Sequence, residues 1–344
     1  MPPANTRHRT LTEMSQAYTR SRMLAAAARL GVADFMSDSP VHVNTLASAT
    51  NAHADALYRL LRALASFGIV VETSPRHFCL SSLGYSLRKD APNSEWASVI
   101  FWADLLADNW SHLTECVRTG ESAATVMQRT SYPSRWAADP NARSIFGAVM
   151  GTAPAQDYTP IARAWDFSES HTVADLGGGG GALIAAILHL NPLLYGILVD
   201  RPEFIQKAPA RFETENLSSR CQFIGADLSE SVPGGADVQI LKHVLHGCDD
   251  HAAVKILSNC RAVLPPGGRL LVIEFLLPTV VDHADPALEQ RLASDLNMLT
   301  VTGGRERSAT EWESLLTRAA FTCSRIIPVP GDLASIIEAN PNHQ

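Results

Sequence analysis

The run Asp175-Leu-Gly-Gly-Gly-Gly-Gly181-Ala182 constrains this chain more than any other stretch. Glycine is costly inside a regular helix or strand, so five in a row mark a place where the backbone must turn sharply. They follow Val173-Ala-Asp-Leu, which reads as a strand, and lead into Gly181–Leu190, which reads as a helix. A strand, a glycine turn and a helix in that order leave bare peptide groups and a helix N-terminus open to a ligand. By spacing alone the run satisfies G-x-G-x-x-A, the dinucleotide fingerprint, so a nicotinamide-dependent oxidoreductase is one reading.

Alternation of strand and helix continues past the glycines. Gly196–Asp200, Val238–Lys242 and Leu270–Glu274 read as further strands, the last after a Pro265-Pro-Gly-Gly turn. Short apolar strands separated by helices predict an α/β Rossmann-like domain with a doubly wound, mostly parallel sheet and ligands at the carboxyl ends of its strands. Acidic residues recur at those ends. Asp175 precedes the glycines, where a carboxylate suits an ammonium group and repels a pyrophosphate. Asp200 closes the second strand, where a ribose diol is gripped, and Asp227 stands where an adenine amino group finds an acceptor. Any one of these acids also fits a helix N-cap.

The chain has 344 residues, enough for more than one core, and three segments are expected: 1–92, 93–158 and 159–344. In the first, a Ser15–Leu30 helix stopped by Gly31 precedes two short helices and a strand-turn-strand, the pattern of a winged helix. Arg59 and Arg62 are the only basic residues of its second helix, and Lys plus Arg total 28 against 35 Asp plus Glu. No nucleic-acid partner is expected from such a face. Helices carrying Trp96, Phe101, Trp102, Trp110, Tyr132, Trp136, Phe146 and Tyr158 follow, as core or as walls for a flat apolar substrate. The six scattered cysteines suggest neither zinc nor disulfides, and with no signal peptide or long apolar run the expected location is the cytoplasm, away from membranes.

In combination these motifs resemble the small-molecule O-methyltransferase family that includes the plant caffeate-type enzymes. The likeness is closer to bacterial members acting on polyketide, mitomycin-type and phenazine metabolites. It runs from the N-terminal domain through Phe146-Gly-Ala-Val-Met150 and the glycine loop to Gly303-Gly-Arg-Glu-Arg307. The resemblance implies S-adenosylmethionine as cofactor, S-adenosylhomocysteine as product, no metal, and a homodimer formed by the N-terminal domain. Within Leu241-Lys-His-Val-Leu-His-Gly-Cys-Asp-Asp250, Lys242, His246 and Asp250 match the family pattern, while Gly247 and Cys248 replace an Asp and a Trp. His246 is thereby the general base, steered by Glu274 and Glu306; imidazole is suited to taking a phenol proton near neutral pH. His243 is an alternative that would share a helical face with His246.

Asp175, Gly177, Gly179, Asp200, Arg201, Asp227, Leu228 and Lys242 are the expected cofactor contacts. Trp102, Met150, Asp295, Asn297, Met298 and Thr302 are the expected substrate contacts, with loss of the family Trp at Cys248 widening the pocket for a fused-ring acceptor. The expected activity is methyl transfer from S-adenosylmethionine to a hydroxyl of a small aromatic secondary metabolite, of phenazine or polycyclic polyketide type. Besides the oxidoreductase, a catalytically inactive cofactor-binding relative or a winged-helix regulator would fit parts of the same pattern.

Overall fold

The computed structural model describes residues 10–129, 139–151, 157–206, 208–282, 285 and 287–342; Tyr132, Trp136 and the side chain of Met150 lie outside the described residues. The chain divides into two units, one ending at Asp108 and the other beginning at Asn109.

In the first unit, the single helix expected over 15–30 is two helices, α1 (Leu11–Gln16) and α2 (Tyr18–Leu30), joined at Ala17. Hydroxyls around the joint compete for main-chain carbonyls, Ser15 Oγ donating to Thr12 O and Thr19 Oγ1 to Gln16 O. Gly31 ends α2 with a left-handed φ of 66°, as the sequence predicts. The strands β1 (Val41–His42), β2 (Val70–Ser74) and β3 (His77–Leu80) form an antiparallel sheet in the order β1-β3-β2. Between β1 and β2 run α3 (Val43–Ala49) and α4 (Ala54–Ser66), the latter burying Leu57, Leu61 and Leu64 at helical spacing.

The second unit is built on the strands that the apolar runs predict. β4 (Thr172–Leu176), β5 (Tyr195–Asp200), β6 (Cys221–Gly225), β7 (Val238–Lys242) and β8 (Arg269–Leu277) are mutually parallel, in the spatial order β8-β7-β4-β5-β6. The short β9 (Arg307–Ser308) pairs with the end of β8. β10 (Phe321–Pro328) and β11 (Ala334–Pro341) complete the sheet as an antiparallel pair beside β8. Strand order reverses at β4, because β5 lies on one side of it and β7 on the other. The carboxyl ends of β4 and β7 therefore flank the crevice where an open sheet of this kind takes ligands.

Both faces are covered, which is why β4, β5 and β7 read as unbroken apolar runs. On one face Leu241, Leu270 and Val272 pack against α11 (Asp250–Val263) and α13 (Ala309–Arg318), including the fully buried Trp312. On the other, Val173, Leu198, Ile240 and Ile273 pack against α10 (Ala182–Leu190) and Phe212. This unit also contains α6 (Leu113–Thr119), α7 (Ala123–Val126), α8 (Pro140–Gly151), α9 (Thr159–Ala164) and α12 (Leu288–Val301), and the first unit α5 (Trp96–Ile100). Among the described residues no helix is long and apolar enough to cross a membrane.

Gln239, in the middle of β7, has no solvent exposure, and neither atom of its amide has a hydrogen-bond partner among the described residues. An unsatisfied buried amide costs about 1–3 kcal/mol. Gln239→Met keeps the length of the side chain and removes the polar atoms, so it is expected to raise the melting temperature by about 2–4 °C per kcal/mol recovered. Calorimetry of the variant against wild type measures this; an unchanged or lower melting point means that the amide is satisfied in solution.

Candidate active site

The glycine loop closes the carboxyl end of β4. Gly177, Gly179 and Gly181 take left-handed backbone, with φ of 78°, 55° and 76°. A Cβ at Gly177 would stand 2.6 Å from Val244 Cγ2, and one at Gly178 would stand 2.5 Å from Asp175 Cγ. The loop is thus pressed onto the turn after β7 on one side and onto the Asp175 carboxyl on the other. Asp175 is buried with Oδ2 unpartnered, and burial pushes its pKa up to about 7 against the opposing pull of Lys242. An open carboxylate oxygen beside bare peptide groups is a receptor for an ammonium group.

The neighbouring strand ends carry the other acids. Asp200 Oδ2 accepts from Gly179 N at 2.8 Å and Oδ1 from Arg201 N at 2.7 Å. Each oxygen keeps a lone pair, so the carboxylate retains the capacity to take a diol. Asp227 is more heavily engaged: Oδ1 accepts from the Ser229 hydroxyl and amide, and Oδ2 from Arg201 Nη2 at 3.1 Å. These bonds, the Ser229 hydroxyl foremost, hold its pKa below the usual carboxylate range. Leu228 is buried against the glycine loop, and Lys242 lies over the Tyr158 ring at 5.1 Å. Burial lowers the Lys242 pKa, while Glu274, Asp332 and Asp175 pull it upward.

The turn after β7 carries the histidines. On an α-helix His243 and His246 could share a face; the structure has no α-helix there. His243 takes a left-handed φ of 52°, its amide extending the β7–β8 ladder to Ile273 O, and His246 sits in a single 3-10 turn, Leu245–Gly247. The two rings nevertheless stack, with centroids 5.2 Å apart and planes at 23°.

Glu274, fully buried on β8, explains why. Its Oε1 accepts from the amides of Leu245 and His246 at 3.1 and 3.3 Å, and its Oε2 meets His243 Nδ1 at 3.1 Å and His246 Nδ1 at 3.5 Å. Glu306 Oε1 is the nearer partner of His246 Nδ1, at 2.9 Å. With Nδ1 directed at a carboxylate, the proton belongs on Nδ1 and Nε2 is the free base. Burial acts to lower the pKa of His246, but Glu274 and the hydrogen bond to Glu306 outweigh it and raise the value. At His243 burial, reinforced by Lys242, prevails and the pKa falls. Donor atoms of His243, His246 and Glu274 lie within 4.8 Å of one another, a grouping that a metal ion would need, and the hydrogen bonds just described engage the same atoms.

A buried arginine, which the sequence showed only as part of a motif, fixes the far side of the turn. The Arg307 guanidinium donates to Leu245 O, Cys248 O, Arg305 O and Asp250 Oδ1, and lies over Trp312. Arg305 N donates to His246 O at 2.8 Å, and Gly304 packs so closely that a Cβ would fall 2.1 Å from that oxygen.

Four of the expected substrate contacts lie on α12 or at its end. Asp295 Oδ1 accepts from Glu306 N at 2.8 Å, and buried Asn297 accepts from Trp110 Nε1 at 3.3 Å. Met298 is half-buried on α12, and Thr302, exposed at its end, caps Gly304 N and stands nearest to Gly247. Trp102 is half-exposed in the first unit, and the Met150 side chain is outside the described residues. Ser294, on α12, donates to Glu306 Oε1 at 2.8 Å; nothing in the sequence sets this hydroxyl apart.

The O-methyltransferase domain family matches residues 110–322, and the O-methyltransferase dimerisation domain matches residues 12–87. Phenazine O-methyltransferase PhzM of Lysobacter antibioticus is 36% identical over 331 residues, 96% of this chain and 95% of that protein. The mitomycin biosynthesis 6-O-methyltransferase of Streptomyces lavendulae is 34% identical, over 96% of this chain and 93% of that one. A solved structure of the O-methyltransferase of neocarzinostatin biosynthesis, in complex with S-adenosylmethionine and 2-hydroxy-5-methyl naphthoic acid, superposes with a TM-score of 0.82 at 30% identity, covering 97% of this chain and 99% of that one. This chain belongs to the O-methyltransferase family, and the dinucleotide reading of its glycine loop falls away.

The opposed shifts of the two histidines are directly observable. In an NMR titration of the imidazole resonances, His246 is expected to stay protonated above the ordinary imidazole value and His243 to lose its proton below it. Glu306→Gln removes one of the charges that raise His246 and should move its midpoint down. A His246 midpoint at or below that of His243 would show that burial prevails over the carboxylates.

Proposed function

We propose that this protein transfers a methyl group from S-adenosylmethionine to a hydroxyl of a fused-ring aromatic secondary metabolite, of phenazine or polycyclic polyketide type, with His246 as general base. The observation that carries this reading is the 2.9 Å contact between His246 Nδ1 and the buried Glu306, at the crevice that the glycine loop also borders. The residues fit the cofactor: Asp175 offers an unpartnered buried oxygen for the amino group, the glycines leave the peptide groups open, and Asp200 keeps lone pairs for the ribose. Lys242 lies between Asp175 and Glu274 in charge, and Arg201 ties Asp227 to the same wall.

When bound, S-adenosylmethionine supplies a methyl already activated by a sulfonium. What remains for the protein is alignment and removal of a proton. His246 Nε2 accepts the proton of the attacking hydroxyl. The charge that then forms on the ring is matched by Glu306 and Glu274, both free of water, so the pair stabilises the imidazolium as it forms. Resting protonation works against this role, because only the neutral ring can accept; the rate is expected to rise with pH through the raised His246 value.

The partner for the N-terminal unit is a second copy of the chain, consistent with residues 12–87 matching a dimerisation domain and with Leu11, Met14 and Tyr18 being exposed. Residues 1–92 are assigned to dimerisation, 93–158 to the walls of the acceptor pocket, and 159–344 to cofactor binding and chemistry, in the cytoplasm.

Calorimetric titration with S-adenosylhomocysteine, together with mass-spectrometric detection of methyl transfer to hydroxylated phenazines, anthracyclines and phenols, tests the reading. Wild type is expected to bind and to methylate a fused-ring acceptor, and His246→Ala to keep binding while losing about 10²–10⁴ in rate. An undiminished rate in His246→Ala removes the base from its assigned role, and absence of binding removes the cofactor.

A further inference from the structure

Glu306 has one carboxylate oxygen with two donors and one with none. Oε1 takes His246 Nδ1 at 2.9 Å and the Ser294 hydroxyl at 2.8 Å, while Oε2 is buried without a partner among the described residues. The terminal torsion of a glutamate is broad, so the carboxylate can turn part way and carry its accepting oxygen out of line with His246 Nδ1, a half turn merely exchanging two equivalent oxygens. The main chain does not prevent that turn: Asp295 holds the Glu306 amide at 2.8 Å and fixes the residue, but leaves its last torsion free. Ser294, one position earlier on α12, supplies the missing constraint. Because a carboxylate can only accept, the hydroxyl must be the donor, and the direction of the bond is settled.

We propose that Ser294 is a positioning residue for His246: its hydroxyl locks the rotation of Glu306 that presents Oε1 to Nδ1, and so keeps Nε2 turned toward the acceptor oxygen. This rests on the reading of His246 as the base. The charged and titratable groups facing His246 are Lys242 and His243 from β7 and the turn after it, Glu274 from β8, and Glu306 from the loop before β9. From α12 come Asp295, whose carboxylate is turned to the Glu306 amide, and the neutral Ser294. Of these groups only the hydroxyl is both uncharged and bonded to Glu306, so its removal leaves the charge around the base unchanged and alters only how the carboxylate is held.

Ser294→Ala and Ser294→Thr, with His246→Ala as reference, are compared by the pH dependence of kcat and by 15N NMR of the His246 ring in the absence of acceptor. Ser294→Ala is expected to lower kcat by about tenfold, the order of one hydrogen bond to a charged group. It should move the acidic limb of the profile to lower pH, as the imidazolium loses its nearest carboxylate, and mix the tautomers of the ring. Affinity for S-adenosylhomocysteine should be unchanged. Ser294→Thr, which keeps the hydroxyl, should recover kcat, limb and tautomer together. A limb that stays put or moves up in Ser294→Ala, a single Nδ1–H tautomer in that variant, or a Thr variant as impaired as Ala would each overturn the proposal. Full activity in His246→Ala instead brings down the reading beneath it, and the NMR measurement, which needs no turnover, tells the two failures apart.

Discussion

The carboxylate of Glu274 sits near the end of β8 with no exposure to solvent, and a buried negative charge of that kind is tolerable only where donors converge on it. Four groups do: two consecutive amides and two imidazoles, all from the six residues after Leu241. Satisfying the charge therefore dictates the shape of the turn after β7. It explains why a non-glycine residue, His243, accepts left-handed backbone, and why the chain makes one 3-10 turn rather than starting a helix. Glu274 is in this sense first a builder of the turn; Glu306 is the nearer carboxylate to the His246 ring.

A second buried charge, opposite in sign, completes the turn from outside. Arg307 donates to carbonyls of Leu245 and Cys248, whose amides or neighbours are engaged by Glu274 or by the turn itself. Because a guanidinium spreads its donors in a plane, one side chain collects several main-chain oxygens and still meets Asp250. His246 is thus held through its backbone from both directions, and its ring is free to be governed by Glu306. Breaking either clamp leaves a buried charge uncompensated, which is far costlier than loss of a surface ion pair.

Much of this was legible in the sequence, for reasons that differ by element. β4, β5 and β7 announce themselves because strands covered on both faces must be apolar throughout, and the glycine loop because no side chain fits against Val244 and Asp175. His246, Glu274 and Glu306 are separated by 28 and 32 positions, and no local pattern unites them; a family resemblance was needed to see them as one group, and the structure brings them within hydrogen-bonding distance. The conformation of Leu241–Asp250 carried no local signal because its residues are arranged by Glu274, a residue outside the stretch. Ser294 carried no signal, since a serine on a helix is ordinary until the loop it faces is known. The break at Ala17 was hidden for the opposite reason: apolar content favours a continuous helix, and the competing hydroxyls are a local detail.

Two glycines flank the histidine turn under contrary conditions. At Gly304 any side chain would collide with His246 O, whereas at Gly247 a Cβ would meet nothing closer than Thr302 Cγ2 at 4.0 Å. The histidine turn is therefore bordered by one closed door and one open one. A side chain at 247 would change the contour beside His246, while the backbone at 304 admits none. Room for a side chain and the fixed frame around His246 thus fall on two segments far apart in the sequence, so that the first can change without disturbing the second.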